Sequence, residues 1–390
     1  MSNYDIIISV KYLGNMKYYL WIIGCQYNEW DGARLKYFLD QNGFIETPAN
    51  DADVIIILAC SVRQTAVDRI LGRVKNWIPR SDVRRDYAGQ ASKTILVTGC
   101  VLDIDKEKFA KKGIKIFEPG DFKALKKYLD IKLKKSRRFG NVGIPIGYAA
   151  SGLKSCSYVP IMIGCNNFCS YCAVPYVRGR EKSRKVDEVI NDVKNLVKNG
   201  QKDIMLLGQN VNSYKSQSSN LKAQTYNSKL KNKKTDFTEL LERLNSLEGN
   251  FRIGFISNHP KDMSDDIIEA VAKLPKIKKE IHLPLQSGSD KILKAMNRPY
   301  TAKQYLKIIN KIKKANPSIR ITTDVIVGFP GETENDFQKT VEIFKKIKFA
   351  QAYINKYSPR AGTVAYKLGD PIIWSEKQRR WRILNDIANK

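Results

Sequence analysis

Residues 157–181 read SYVPIMIGCNNFCSYCAVPYVRGRE, an apolar run that breaks at Gly164 into a loop carrying Cys165, Cys169 and Cys172 within eight residues. A short apolar run bounded by glycine reads as a buried strand. Working outward, the run is the first of six: KDIMLLG, FRIGFIS, EIHLPL, IRITTDVIVGF and QAYINKYS follow, most separated by amphipathic helical patterns such as KVDEVINDVKNLVKNG. Repeated right-handed βαβ units in that number curl toward a barrel, which predicts a partial TIM-type (β/α)6 barrel over residues 154–388. The polar, nonperiodic KSQSSNLKAQTYNSKLKNKKT (215–235) reads as a disordered surface insertion in it.

Upstream, KYYLWIIGC (17–25), DVIIILAC (53–60), KTILVTGC (93–100) and IKIFEPG (114–120) read as strands, with helices over NEWDGARLKYFLDQNG and RQTAVDRILGRVKNW between them. This alternation predicts an α/β, doubly wound parallel-sheet domain over residues 1–140. The basic, glycine-containing LKKSRRFGNVG leads into a linker over 141–153.

Lys and Arg number 68 against 39 Asp and Glu, a formal charge of +29. A field of that size favours polyanionic partners, RNA or DNA first, although Lys-rich solvated helix faces would give the same count. The N-terminus lacks the basic and apolar regions of a signal peptide, and no run reaches membrane-spanning length, so a cytoplasmic chain without membrane association is expected. Seven cysteines in 390 residues are too sparse for a disulfide scaffold and point to reactive or metal-ligating thiols.

The C-x3-C-x2-C loop falls at the C-terminal end of a strand, where parallel α/β folds place ligands. A structural zinc site asks for four protein ligands, and the only histidines, His259 and His282, are distant in sequence. An iron–sulfur cube held by three thiolates leaves one iron open. In radical chemistry that position takes S-adenosylmethionine, which the cluster reduces to release a 5′-deoxyadenosyl radical. Cys25, Cys60 and Cys100 each end one of three successive strands, so they emerge at one sheet edge within reach of a second cofactor. A lone strand-end cysteine is more often a small core residue; three at equivalent ends are not. His282, in an apolar strand, reads as a satisfied core histidine.

GCNNFCSYC, followed by VPYVRGREKSR, resembles the methylthiotransferase branch of the radical S-adenosylmethionine superfamily. The resemblance extends over residues 18–388 through GCQYNEWD, CSVR, LLGQNVNSY, SNHP, HLPLQSGSD and DVIVGFPGETENDF. It implies two [4Fe-4S] clusters, one on Cys165, Cys169 and Cys172 and a sulfur-donating one on Cys25, Cys60 and Cys100. Gln209, Ser287 and Asp324 are implied contacts of S-adenosylmethionine, and Tyr171 packs against its adenine. GQNVNSY points to action on C2 of N6-isopentenyladenosine in tRNA, beside the anticodon. The nearest rivals are threonylcarbamoyl-adenosine in tRNA and an aspartate of a ribosomal protein; a rival of another class is a non-catalytic, zinc-stabilised RNA-binding protein. Expected partners are tRNA, an electron donor such as a flavodoxin or ferredoxin, and a sulfur source, with the enzyme a monomer.

Two departures accompany the resemblance. Leu58 and Ala59 stand where the family carries Asn-Thr before the second cysteine. The chain stops at QRRWRILNDIANK, where the family's small RNA-binding β-barrel would begin, so that module is expected to be absent. Arg178, Arg180, Lys182 and Arg184, with Tyr176, are candidate RNA contacts or equally a solvated connection. Cys156 matches no family position and reads as incidental.

Overall fold

The computed structural model describes residues 16–62, 64–77, 93–129, 157–216 and 234–388. The chain divides into two compact units, Met1–Leu153 and Lys154–Lys390. The expected linker, Cys156 and residues 217–233 of the expected insertion lie outside the described residues.

In the first unit, β1 (Lys17–Ile22), β2 (Ile45–Glu46), β3 (Val54–Cys60), β4 (Thr94–Cys100) and β5 (Lys115–Ile116) form one parallel sheet in the order β2-β1-β3-β4-β5. Helix α1 (Gln26–Gln41) buries Leu35, Phe38 and Leu39 on one face, joined by Leu125 and Leu129 of α4 (Phe122–Leu129). On the other face, Val67, Ile70 and Val74 of α2 (Gln64–Val74) pack with Phe109 of α3 (Asp103–Ala110). Strand β3 is enclosed from Val54 to Ala59 because both sheet faces are covered, which is why VIIILA is apolar at every position. The unit is doubly wound as expected, with a fifth strand, β2, that two exposed residues do not announce.

In the second unit, β6 (Ser157–Pro160), β9 (Asp203–Leu207) and β10 (Arg252–Phe255) form one parallel sheet, and β11 (Glu280–His282), β12 (Arg320–Val327) and β13 (Gln351–Lys356) another. They join where Ile253 N–H donates to Lys276 O (2.7 Å) and Ile253 O accepts from Lys278 N–H (2.8 Å), making six parallel strands in chain order. Helices α6 (Val186–Lys198), α7 (Asp236–Asn245), α8 (Asp265–Lys273), α10 (Ala302–Ala315), α11 (Glu334–Lys346) and α12 (Trp374–Ala388) turn apolar faces to one continuous core. This is the expected six-stranded partial barrel. SYVPIMIG is not one strand, however. It breaks after Pro160, and β7 (Met162–Ile163) pairs antiparallel with β8 (Lys182–Ser183), a ribbon that closes the cysteine loop at its base. Among the described residues, no helix is long and apolar enough to cross a membrane.

GETENDF opens α11 with a capping box: Thr333 and Asp336 each accept the other's backbone N–H. Beside it, the Glu332 carboxylate, side chain 1% exposed, accepts from Arg380 Nη1 (2.7 Å) and Gly328 N–H (2.6 Å), tying α12 to the turn after β12. Arg380→Met strands a buried carboxylate and is expected to cost about 3–5 kcal/mol in denaturant unfolding. Adding Glu332→Gln removes the stranded charge, so the double variant is expected to recover part of that loss.

Candidate functional site

Because every strand of the first sheet runs the same way, the ends of β1, β3 and β4 share one edge, and the strand order reverses direction at β1 and β3. Cys25 follows β1 and starts α1, its carbonyl accepting from Glu29 N–H (3.1 Å). Cys60 and Cys100 are register partners at the ends of β3 and β4. Asn28, fully buried, binds the three ends together. Its amide donates to Ile23 O (2.8 Å) after β1 and Ala59 O (2.9 Å) in β3, and its oxygen lies 3.7 Å from Cys100 Sγ. The backbone is packed to its limit here. A Cβ on Gly24 (φ +138°) would stand 2.7 Å from Asn28 Nδ2, and one on Gly99 (φ +99°) 2.6 Å from Ala59 O. Ser61 Oγ and Thr98 Oγ1, both buried close in sequence to Cys60 and Cys100, have no hydrogen-bond partner among the described residues. The residues at the Asn-Thr departure, Leu58 and Ala59, are wholly enclosed on opposite sheet faces.

In the barrel, Cys165 and Cys169 are buried and Cys172 half-buried. Asn167 N–H points at Cys165 Sγ (3.5 Å), Val174 N–H at Cys172 Sγ (3.4 Å) and Arg298 Nη1 at Cys169 Sγ (3.4 Å), so each sulfur receives a donor. Burial raises the Cys165 thiol, and burial followed by the neighbouring Cys169 pushes Cys172 up to about 12. Without metal these thiols stay protonated at neutral pH, and loading iron releases their protons. Among the described residues no three Cys, His, Asp or Glu side chains converge on a point for a single ion. A four-iron cluster sets a different requirement, one thiolate for each of three irons.

The segment GQNVNSY braces this loop. Gln209 Oε1 accepts from Gly164 N–H (2.6 Å), Ser213 Oγ donates to Glu181 (2.7 Å), and Tyr214 OH donates to Arg184 O (2.6 Å). Asn212 and His259 exchange bonds, the Asn212 amide donating to His259 O and accepting from His259 N–H, both at 2.9 Å. Of the other expected S-adenosylmethionine contacts, Asp324 pairs with His282 Nε2 (2.9 Å), whose Nδ1 meets Thr322 Oγ1 (2.9 Å), so His282 is satisfied as expected. Ser287 is fully buried, its hydroxyl accepting from Ser289 N–H (3.2 Å), and Tyr171 lies against a cluster of Ile292, Met296, Phe329 and Tyr357. Among the candidate RNA contacts, Arg184 is committed to Asp192 (2.9 Å) and Pro160 O (2.8 Å), whereas Arg180 is exposed and covers the Phe168 ring at 4.2 Å.

Four buried side-chain atoms just beyond the ends of β9, β10 and β11 have no hydrogen-bond partner among the described residues: Asn210 Oδ1, Asn258 Oδ1, His259 Nε2 and Gln286 Oε1. Each orphaned polar group costs about 1–3 kcal/mol, and such groups in folded proteins mark a ligand or ordered water. Burial lowers His259 to about 2, so its ring is neutral, and with Nδ1 accepting from Lys261 N–H, Nε2 carries a proton to donate. Three sulfurs and a ring of unpaired amides and imidazole fit an iron–sulfur cluster with a polar amino-acid ligand. Sequence reading named none of these four side chains as contacts, LLGQNVNSY, SNHP and HLPLQSGSD being the only hints, and it also missed Arg298, which meets Cys169.

A six-stranded partial barrel with three cysteines in the loop after its first strand defines a radical S-adenosylmethionine enzyme. The radical SAM superfamily profile matches residues 159–344, and that of the uncharacterized protein family UPF0004 matches residues 17–117. The tRNA-2-methylthio-N(6)-dimethylallyladenosine synthase of Clostridium botulinum (strain Okra / Type B1) is 39% identical over 382 residues, 94% of this chain and 80% of that protein. The enzyme of the same name from Thermoanaerobacter pseudethanolicus is 41% identical over 392 residues, 96% of this chain and 78% of that protein. The folds of the cobalamin-dependent S-adenosylmethionine radical enzyme OxsB (TM-score 0.55, 10% identity, 96% of this chain and 57% of that one) and of the radical S-adenosylmethionine methyltransferase TsrM from Kitasatospora setae (TM-score 0.55, 10% identity, 90% and 74%) are also similar. The chain belongs to the tRNA-2-methylthio-N(6)-dimethylallyladenosine synthase family of radical S-adenosylmethionine methylthiotransferases. Its cofactors are [4Fe-4S] clusters and S-adenosylmethionine.

Gly164 (φ +80°) packs so closely that a Cβ would stand 2.2 Å from Arg180 O. Gly164→Ala is therefore expected to spring the loop from its ribbon. Iron and sulfide counts after anaerobic reconstitution should fall to the content of a Cys165→Ala variant.

Proposed function

We propose that this enzyme methylthiolates C2 of N6-isopentenyladenosine beside the anticodon of tRNA. The observation that carries the reading is that Cys25, Cys60 and Cys100 stand at the ends of three parallel strands of the first unit, while Cys165, Cys169 and Cys172 share the loop after the first barrel strand of the second. When bound, the clusters supply the electron that cleaves S-adenosylmethionine and the sulfur that is inserted. Cys165, Cys169 and Cys172 hold the radical-generating cluster. Cys25, Cys60 and Cys100 hold the second, with Asn28 keeping them in register. The two units are the methylthiotransferase domain (1–140) and the barrel domain (154–388).

Asp324, Tyr171 and the unpaired amide ring bound the S-adenosylmethionine site, while Gln209 and Ser287 shape the turns around it. Gln209 acts chiefly through Gly164, since its carbonyl oxygen is already engaged there. The substrate choice follows the relatives, both tRNA-2-methylthio-N(6)-dimethylallyladenosine synthases, and the net charge of +29 suits a polyanion as large as tRNA. The reaction calls for an electron donor and a sulfur source as further partners, and tRNA as substrate fits a cytoplasmic enzyme.

In a strain lacking this gene, tRNA nucleoside analysis is expected to find isopentenyladenosine without its methylthio group. The native gene should restore the group and a Cys100→Ala gene should not, although purified Cys100→Ala protein still cleaves S-adenosylmethionine under reducing conditions. Methylthio loss from threonylcarbamoyl-adenosine instead would move the substrate to that nucleoside.

A further inference from the structure

Arg298 is 7% exposed, and all three of its guanidinium nitrogens are bonded. Nε donates to Tyr300 OH (2.9 Å), Nη2 to Pro284 O (3.1 Å) and Nη1 to Cys169 Sγ (3.4 Å). Among the described residues no carboxylate approaches it, although a guanidinium keeps its charge and an unpaired buried charge is costly. Among the described residues the buried Lys377 and Arg380, by contrast, pair with Asp370, Glu332 and Glu376. What Arg298 meets instead is the sulfur of Cys169.

The segment bearing Arg298 also grips the cysteine loop. Ser170 N–H donates to Met296 O (3.0 Å), Ser170 Oγ to Ala295 O (2.9 Å), and the Asn297 amide to Phe168 O (2.9 Å). Those bonds hold the loop without help from a charge, so the cation has a separate role. A cube with three thiolates is anionic, and it becomes more so by one charge when an electron enters.

We propose that Arg298 sets the reduction potential of the cluster on Cys165, Cys169 and Cys172, its fixed positive charge favouring the reduced state. In the step concerned, one electron from an external low-potential reductant converts [4Fe-4S]2+ to [4Fe-4S]1+; no bond breaks and no proton moves. Arg298 is a positioning and tuning residue, and the inference rests on the reading that this trio holds the cluster.

The test uses the full chain with Cys25, Cys60 and Cys100 changed to Ala, so that one cluster gives the signal, and follows its reduction by electron paramagnetic resonance at graded potentials. Arg298→Gln is expected to lower the equilibrium constant for one-electron reduction about tenfold, a shift of about 59 mV to more negative potential. Arg298→Lys, which keeps the charge, should stay within about threefold of the parent. Tyr300→Phe, which disturbs the packing but not the charge, should do the same. Unshifted potential in an iron-loaded Arg298→Gln protein, or equal shifts in all three variants, would overturn the proposal. A parent that takes up no iron would instead refute the cluster assignment beneath it. If Arg298→Gln does not fold, the Lys and Phe variants decide the matter: a shift of tenfold or more in either contradicts a role carried by charge.

Discussion

Parallel strand direction is the constraint on which both cysteine trios depend. In a parallel sheet every strand delivers its last residue to the same edge, and the crossover helices keep both faces dry. Cys25, Cys60 and Cys100 come together because β1, β3 and β4 are consecutive in the sheet, although 75 residues separate the first from the last. The cost is polar backbone exposed at that edge, and Asn28 meets it. One buried amide satisfies two strand ends and stands beside the Cys100 sulfur at a third.

The barrel solves the same problem with different parts. Its three sulfurs come from one loop, so the sheet supplies a platform and the loop must be shaped locally. The β7–β8 ribbon closes the base, Gly164 allows the backbone to turn back on Arg180, and Gln209 locks the turn from the neighbouring strand. The segment after α9 (Asp290–Ala295) closes the far side and brings a buried cation to one thiolate. Burial raises the Cys165 and Cys172 thiols while donors aim at all three sulfurs, a setting in which iron ligation would release the thiol protons.

The polar atoms left without partners describe the rest of the site. Asn210, Asn258, His259 and Gln286 follow three adjacent barrel strands, and their unmet bonding capacity lies where a parallel barrel presents its ligands. By contrast, GQNVNSY, which the sequence suggests as a mark of substrate, is mostly spent on bracing the cysteine loop. A segment can accompany a particular substrate and still act through architecture.

The order and type of nearly all strands and the switch from open sheet to barrel were legible in the sequence, because apolar runs and their period depend only on local burial. The satisfied role of His282 could be read from its apolar strand in the same way. Tertiary structure alone decided the rest. The two-residue strand β2 has no apolar run of its own. Arg184, in a run that reads equally as RNA-binding, is drawn into ion pairs by α6, and Arg298 meets Cys169 across 129 residues of chain. Periodicity reports which face of an element is buried. It carries no information about which distant side chain will lie against it, and that is why the cysteines could be named from the sequence and the groups that govern them could not.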